Sequence, residues 1–356
     1  MNSSFSDVFV RYELIPATAI AGPGDFVLGM HCLSGYGLSG YGLDKSSTKA
    51  LDRLPVQQIS TPILDNADDA LFERWLTDSP CRYGRFEDIE FRRTDTLLFG
   101  VIEIDESKLE VANGESSLRV AAEKAYQQIF ALLDAEGFRH LWRTWNYMPA
   151  IHAEECGLER YRQFNVGRHN AFVGRGKAVD HSPAASALGT HDGVFSVAFI
   201  AGHATPKRIE NPRQVSAFEY PEQYGPRSPT FTRAVTIANT THEALFISGT
   251  ASIVGHETLH CDDVTAQTRE TIANLAALLE QANGEPANIE SPPYPFTLQN
   301  LGYRIYIRHA NDFDKVRAVF DDVIGTSMNI AYVQADICRQ DLLIEIEAFA
   351  IRALAV

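Results

Sequence analysis

The sequence predicts an α+β fold of two domains, each a mixed β-sheet with helices packed on one face. Three observations predict it. Short apolar runs bounded by Gly, Asp and Ser recur along the chain and read as strands. Two long segments carry apolar residues at helical spacing. The order strand, long helix, strand, short helix then occurs twice, which marks a pseudo-duplicated unit whose helices must bury their apolar stripe against a sheet. At 356 residues, 45% of them hydrophobic, the chain is long enough for two domains with a sizeable core.

Residues 1–69 read as an irregular lead-in. Ser34-Gly35-Tyr36-Gly37-Leu38 repeats at once as Ser39-Gly40-Tyr41-Gly42-Leu43. A phosphate-cradling loop needs a strand before it and a helix after it. Here Asp44-Lys45-Ser46-Ser47 comes next, so this is a flexible surface segment. Leu97–Ile104 is the first clear strand. Ser116 or Ser117 caps a helix carrying Ala122, Tyr126, Ile129, Phe130 and Leu133 on one stripe, ended by Gly137. Leu141–Tyr147 is a strand and Gly157–Phe172 a second helix. Residues 174–193, rich in Gly, Ala, Ser and His, form a linker between an N-terminal domain (1–173) and a C-terminal domain (194–356).

The second domain repeats the order. Phe195–Ile200 and Ala244–Ser248 read as strands. Asp263 caps a long helix with Val264, Ile272, Leu275, Leu278 and Leu279 on one face, stopped near Gly284. Tyr303–Arg308 alternates as a strand, with Arg304, Tyr306 and Arg308 on one face. Phe313–Val323 is a short helix with Val316, Val319, Phe320 and Val323 inward. Strands near Ile330–Ile337 and Leu342–Ala350 close the chain.

The net charge of -15 argues against nucleic acid, whose phosphates need a basic surface. A small anionic ligand stays possible, because a local Arg cluster can sit inside an acidic shell. The five cysteines are scattered without a CxxC pair, as expected of reduced thiols in a cytoplasmic protein. No apolar run approaches the roughly 18–20 residues that span a bilayer, and Met1–Asp7 lacks a secretory start. A monomer or small homo-oligomer without membrane partners is expected.

His256-Glu257-Thr258-Leu259-His260 matches the H-E-x-x-H pattern. That spacing binds zinc when a helix puts both histidines on one face. Here a strand precedes it, Gly249 and Gly255 break any helix, and the next helix starts only after Asp263. A polar loop at a strand end is expected instead, with no metal.

Leu245–Leu279 resembles the Rid/YjgF signature: a strand ending in Ser-Gly, a loop, then a helix opening Asp263-Val264-Thr265-Ala266-Gln267-Thr268. A broader resemblance, over roughly residues 70–352, is to the chorismatase family. It rests on Arg143-Thr144-Trp145-Asn146-Tyr147, Glu159-Arg160-Tyr161-Arg162, Val166-Gly167-Arg168, Glu210-Asn211-Pro212, Tyr220-Pro221, Tyr224-Gly225-Pro226-Arg227, Gly255-His256, Tyr306-Ile307-Arg308 and the stretch Asp336–Glu347. The resemblance implies two Rid-like (chorismate-mutase-like) domains. The active site lies mainly in the second and is partly covered by the first. It also implies a cofactor-free enzyme that splits the enolpyruvyl ether of chorismate.

Chorismate carries two carboxylates, and Arg suits them because its planar fork donates two hydrogen bonds. The resemblance makes Arg168 and Arg308 the candidates for that task, although the residues alone also admit a solvated strand face at Arg308. Tyr220 and Tyr224 are candidate donors to the substrate or packing residues of a Pro-rich loop. Arg227 belongs to the same loop, and Asn146 is a candidate to orient a substrate oxygen. Glu345 is the candidate acid. Glu345 and Glu347 alternate with Ile344 and Ile346, so the carboxyls share a face, and two acids so close push one pKa up. By the resemblance, Gly249 and Cys338 decide the outcome after protonation. Hydrolytic members hold small apolar residues there, whereas members that form 3-hydroxybenzoate hold Gly and Cys. Gly249 alone also fits a backbone bulge, and Cys338 a small buried hydrophobe. The implied activity is that of a 3-hydroxybenzoate synthase releasing pyruvate. Its alternatives are 4-hydroxybenzoate formation, hydrolysis to a dihydrodiol, and a Rid-like protein that binds metabolites or hydrolyses imines.

Overall fold

The computed structural model describes residues 10–16, 24–35, 53–65, 70–176, 181–284, 294–325 and 329–354. Three sheets build the molecule. The first contains β1 (Val10–Pro16), β2 (Val27–Ser34), β3 (Val56–Ser60) and β4 (Ala70–Thr77) in the order β1-β4-β2-β3. Much of the expected irregular lead-in is therefore sheet. The pattern is hidden because β2 is buried along its whole length. Leu28 and Leu33 face one core while Val27, Met30 and Cys32 face another, so the strand shows no polar alternation to read. Of the Gly/Ser repeat only Ser34 and Gly35 belong to the described residues.

The second sheet comprises β5 (Arg82–Phe86), β6 (Ile89–Arg93), β7 (Leu97–Ile104) and β8 (His140–Pro149), joined by two later strands. Helix α1 (Ser117–Ala135) lies between β7 and β8. Ser116 accepts the Arg119 amide hydrogen at its start, and Gly137 adopts φ +77° just past its end. A short hairpin, β9 (Glu154–Glu155) with β10 (Leu158–Glu159), leads into α2 (Arg160–Gly174). Then come β11 (Ala184–Thr190) and β12 (Phe195–Gly202), giving the order β11-β8-β12-β7-β6-β5.

The third sheet repeats this plan. β13 (Lys207–Ile209), β14 (Ala234–Ala238) and β15 (His242–Ala251) precede a small hairpin of β16 (Ile253–Val254) and β17 (Glu257–Thr258). Helix α3 (Val264–Asn283), β18 (Gly302–Ile307), α4 (Phe313–Val323), β19 (Ile330–Gln334) and β20 (Ile344–Ala353) complete it. Its order, β13-β14-β15-β20-β18-β19, matches the second sheet strand for strand. In both sheets the one parallel pair, β8 with β11 and β18 with β19, brackets the short helix. The duplication predicted from pattern is thus one of topology. Each helix pair covers the outer face of its sheet through its own apolar cluster, while the inner faces share a core with the first sheet.

Three expectations change. Phe195–Ile200, expected to open the C-terminal domain, belongs to β12, which pairs with β7 and β8 in the second sheet, so the first unit runs past the expected boundary at 193. Residues 184–190 of the expected linker are strand β11. Their composition of small residues suits a strand pressed between the halves, where the Ala185 amide donates to Ser248 Oγ (2.8 Å) and the Gly249 amide to Ser186 Oγ (3.1 Å). Val323, expected inward, is exposed, because α4 ends there and the next residue, Ile324, takes the buried place.

Candidate active site

A cavity of about 530 Å³ opens between the two halves. The first half contributes the hairpin before α2, one side of α2 and part of β11. The second contributes the Pro-rich loop 220–233, β15, the loop 338–341 and Glu345 on β20.

Glu345 is 4% exposed, and its carboxyl has no hydrogen bond or ion pair among the described residues. Burial first, then the neighbouring Glu347 carboxylate, raises its pKa to about 8; Arg143, Arg233 and Arg308 pull the other way. The acid is therefore protonated at neutral pH. Space for it comes from the backbone opposite. Between Ile247 and Thr250 the β15–β20 register shifts by one residue, a β-bulge of the kind that re-aims side chains beside sites. Gly249 sits in that bulge, and a Cβ added there would collide with Glu345 Oε1. The missing side chain thus makes room for the carboxyl itself.

Glu347 sits two residues on, on the same face, in the opposite state. It accepts hydrogen bonds from Arg143 Nη2 (2.7 Å), Ser186 Oγ (2.5 Å) and Trp145 Nε1 (3.0 Å), and Arg304 Nη1 lies 3.1 Å away. Burial would raise its pKa, but Arg304, Arg143 and the Ser186 hydroxyl outweigh that and hold it below the ordinary value. One strand therefore carries a neutral acid beside a fixed carboxylate.

Four guanidinium groups line the cavity: Arg162 pairs with Glu159 at 3.3 Å, and the other three, buried or part-buried, have no carboxylate partner among the described residues. Arg168 is 2% exposed and lies over the rings of Tyr126 (4.8 Å) and Phe172 (5.6 Å), with Thr144 Oγ1 as a distant acceptor at 3.4 Å. Its place is set by Gly167, where a Cβ would strike the α1 backbone at Arg119, so the two helices pack closely there. Arg233 donates to the Val215 carbonyl and to Tyr220 Oη, each at 2.8 Å. Arg339 donates to the His256 carbonyl (2.9 Å) and stacks 3.9 Å from the Tyr224 ring centroid. Arg168 Nε, Arg233 Nε and Arg339 Nη2 are buried without acceptors. Unpaired buried cations are costly, so this set calls for an anion. Cys338 also lines the cavity, and burial pushes its pKa up to about 12, so it is a thiol. Tyr161 stands near it, its phenol raised well above the usual value by burial.

The structure brings Glu345, Gly249, Cys338, Arg168, Tyr220 and Tyr224 to one cavity. The hydroxyl of Tyr224 is already spent on the His256 carbonyl at 2.7 Å. Three expected residues lie elsewhere. Arg308 does not line the cavity. Its donors go to Leu342 O (2.7 Å), Asp336 Oδ1 (2.6 Å), Ile337 O (3.2 Å), Arg339 O (2.7 Å) and His152 Nε2 (3.3 Å), so it clamps the loop that carries Cys338 and Arg339. Asn146 is wholly buried and bonds Ser186 O (2.8 Å) and Tyr126 Oη (2.7 Å), tying sheet to helix. Arg227 is exposed outside the cavity. Sequence reasoning missed Arg233 and Arg339. Arg339 directly follows Cys338 and had that cue, whereas Arg233 comes after a Pro-rich loop with no periodic signal. The H-E-x-x-H stretch forms the β16–β17 hairpin and a turn. His256 faces Tyr224 and His260 faces Glu270, so the two imidazoles do not converge.

Residues 73–201 match the family model described as chorismatase FkbO/Hyg5-like, N-terminal, and residues 227–352 match the endoribonuclease L-PSP model. A chorismatase of Streptomyces hygroscopicus is 34% identical over 314 residues, covering 87% of this chain and 88% of the relative. A 3-hydroxybenzoate synthase of the same organism is 31% identical over 284 residues, covering 77% of this chain and 80% of that protein. A chorismatase crystal structure at 1.08 Å resolution superposes with a TM-score of 0.82 at 31% identity, over 96% of this chain and 98% of the other.

Proposed function

The chain belongs to the chorismatase family, and from that premise we propose that this enzyme, which acts on chorismate, converts it to 3-hydroxybenzoate and pyruvate. The observation that carries the reading is a protonated, partnerless Glu345 in the same cavity as three guanidinium groups without counter-ions. Such a site suits a dianion that must be protonated on carbon.

Arg168, Arg233 and Arg339 hold the two carboxylates of the substrate. The Glu345 O–H bond breaks as its proton goes to the enolpyruvyl methylene carbon, and the ionised carboxylate faces the resulting oxocarbenium ion. The C4 hydroxyl oxygen then bonds to C3 as the C3–O bond breaks. That electron pair becomes part of the pyruvate carbonyl, and the hydroxyl proton returns to Glu345. The arene oxide left behind opens at its C4–O bond. The Cys338 thiol gives a proton to the oxygen, and the thiolate removes the C3 hydrogen, leaving an aromatic ring with a hydroxyl at C3. No water enters, which agrees with chorismate being the sum of the two products.

Chromatography after incubation with chorismate tests the reading. 3-Hydroxybenzoate with equal pyruvate is expected. A dihydrodiol or 4-hydroxybenzoate as main product would replace the assignment, and no pyruvate would end it. The double variant Gly249→Ala with Cys338→Ala should shift product toward the dihydrodiol. It should also slow turnover, because the new methyl group must push the Glu345 carboxyl aside. Unchanged aromatic product in that variant would refute the roles given to both positions.

A further inference from the structure

We propose that Glu347 is a positioning residue for the reaction: its carboxylate, locked between Arg143 and Arg304, keeps Glu345 in its proton-carrying form, and Glu73 of the N-terminal sheet completes the lock. The inference rests on the reading of Glu345 as the acid.

The geometry is asymmetric along one strand. The Glu345 carboxyl has no polar partner among the described residues, whereas that of Glu347 meets Arg143 and Trp145 on β8, Ser186 on β11 and Arg304 on β18. Arg304 is divided between Glu347 and Glu73, with which it forms a two-pronged ion pair. It also donates to the hydroxyls of Tyr147 and Tyr306, which bond each other at 2.6 Å. Tyr12 on β1 lines the same small void as Glu73, and burial first, then the Glu73 carboxylate, raises its phenol well above the usual value. His31 on β2, kept neutral by burial first and then by Arg304, bonds Gln57. The acids and bases around the pair are thus Arg143, Arg304, Glu73 and neutral Tyr12, Tyr147, Tyr306 and His31. On the cavity side stand Arg233, Cys338 and Tyr161, with Arg308 behind the loop that carries Cys338.

The void among Tyr12, Glu73, Arg143, Arg304 and Glu347 holds only about 20 Å³. That is room for about one water, so the network is not a second binding site. Arg143 so placed favours ionised Glu345, as do Arg233 and Arg308 from the other side; Glu347 opposes them, and burial, the largest effect, leaves Glu345 protonated. Glu73 acts through Arg304, whose charge it shares with Glu347. The N-terminal sheet, which among the described residues lends none to the cavity lining, thereby enters the chemistry through Glu73.

The test is the pH profile of kcat/KM for chorismate in the full-length enzyme. Glu347→Gln removes one negative charge and leaves Arg143 and Arg304 less compensated, and both changes ionise Glu345 at lower pH. The alkaline limb should move down by one pH unit or more. The loss should then be about tenfold at a pH above the wild-type limb and shrink as pH falls. A folded Glu347→Gln enzyme with a loss equal at every pH and an unmoved limb overturns the proposal and leaves a structural role. If Glu347→Gln does not fold, Glu73→Gln should move the limb in the same direction by less, and an unmoved limb there overturns it equally. Wild-type turnover is read first. No turnover by wild type sinks the assigned reaction, whereas turnover with unmoved limbs sinks only this inference.

Discussion

Glu345→Gln should abolish pyruvate release from chorismate and make the protein more stable in alkaline solution. The amide matches the carboxyl in shape but cannot deliver a proton to carbon. General acid catalysis is typically worth about 10²–10⁴-fold, and carbon protonation is the demanding step here, so a loss of at least about 10³-fold is expected in a coupled assay for pyruvate. The stability gain comes from the same proton. Glu345 has a folded-state pKa of about 8 against an ordinary 4.5, so folding binds the proton more tightly than unfolding does. That contribution is complete below about pH 4.5 and is lost as pH rises through 8. At roughly 1.4 kcal/mol per pH unit, the wild type forfeits several kcal/mol by pH 9 that a non-titrating Gln keeps. Thermal unfolding from pH 5 to 9 should show the two proteins diverging with pH. Turnover within tenfold of wild type would remove Glu345 from the acid's role.

Arg168→Met should lower kcat/KM by about 10²–10³-fold, or about 3–4 kcal/mol of transition-state binding. The buried guanidinium has no carboxylate partner among the described residues and stacks on Tyr126 and Phe172, contacts that Met keeps in part. Burial already lowers its pKa, a sign of the cost of holding it there. Removing that charge should therefore leave the melting temperature unchanged or raised, unlike the loss of a buried ion pair. A kcat/KM within threefold of wild type would mean that Arg233 and Arg339 bind the substrate without it.

The duplicated fold was legible because both long helices are amphipathic and capped as their sequences suggest, at Ser116 and at Asp263. The N-terminal sheet was not, since a strand buried on both faces carries no alternation and β2 adds Gly, His and Cys to its apolar residues. Strand β11 was mistaken for linker because close backbone packing and flexible chain call for the same small residues. At the site, the alternation of Glu345 and Glu347 with Ile placed both acids on one face, but nothing in that spacing tells which is free. The distinction comes from Arg143, Ser186 and Arg304, remote in sequence. Arg308 misled for a related reason: a strand-end arginine looks alike whether it meets a ligand or the chain's own carbonyls.

The matching strand order of the second and third sheets sets off how unevenly the two share the cavity. Two copies of one architecture kept the same scaffold, yet only the later copy bears the paired acids, while the earlier one supplies Arg168 and Arg143 from its own helix and sheet. Neither copy encloses the cavity unaided, since each forms one wall. Closing the cavity therefore requires the halves to dock, and substitutions confined to their seam should silence turnover with every reactive group still in place.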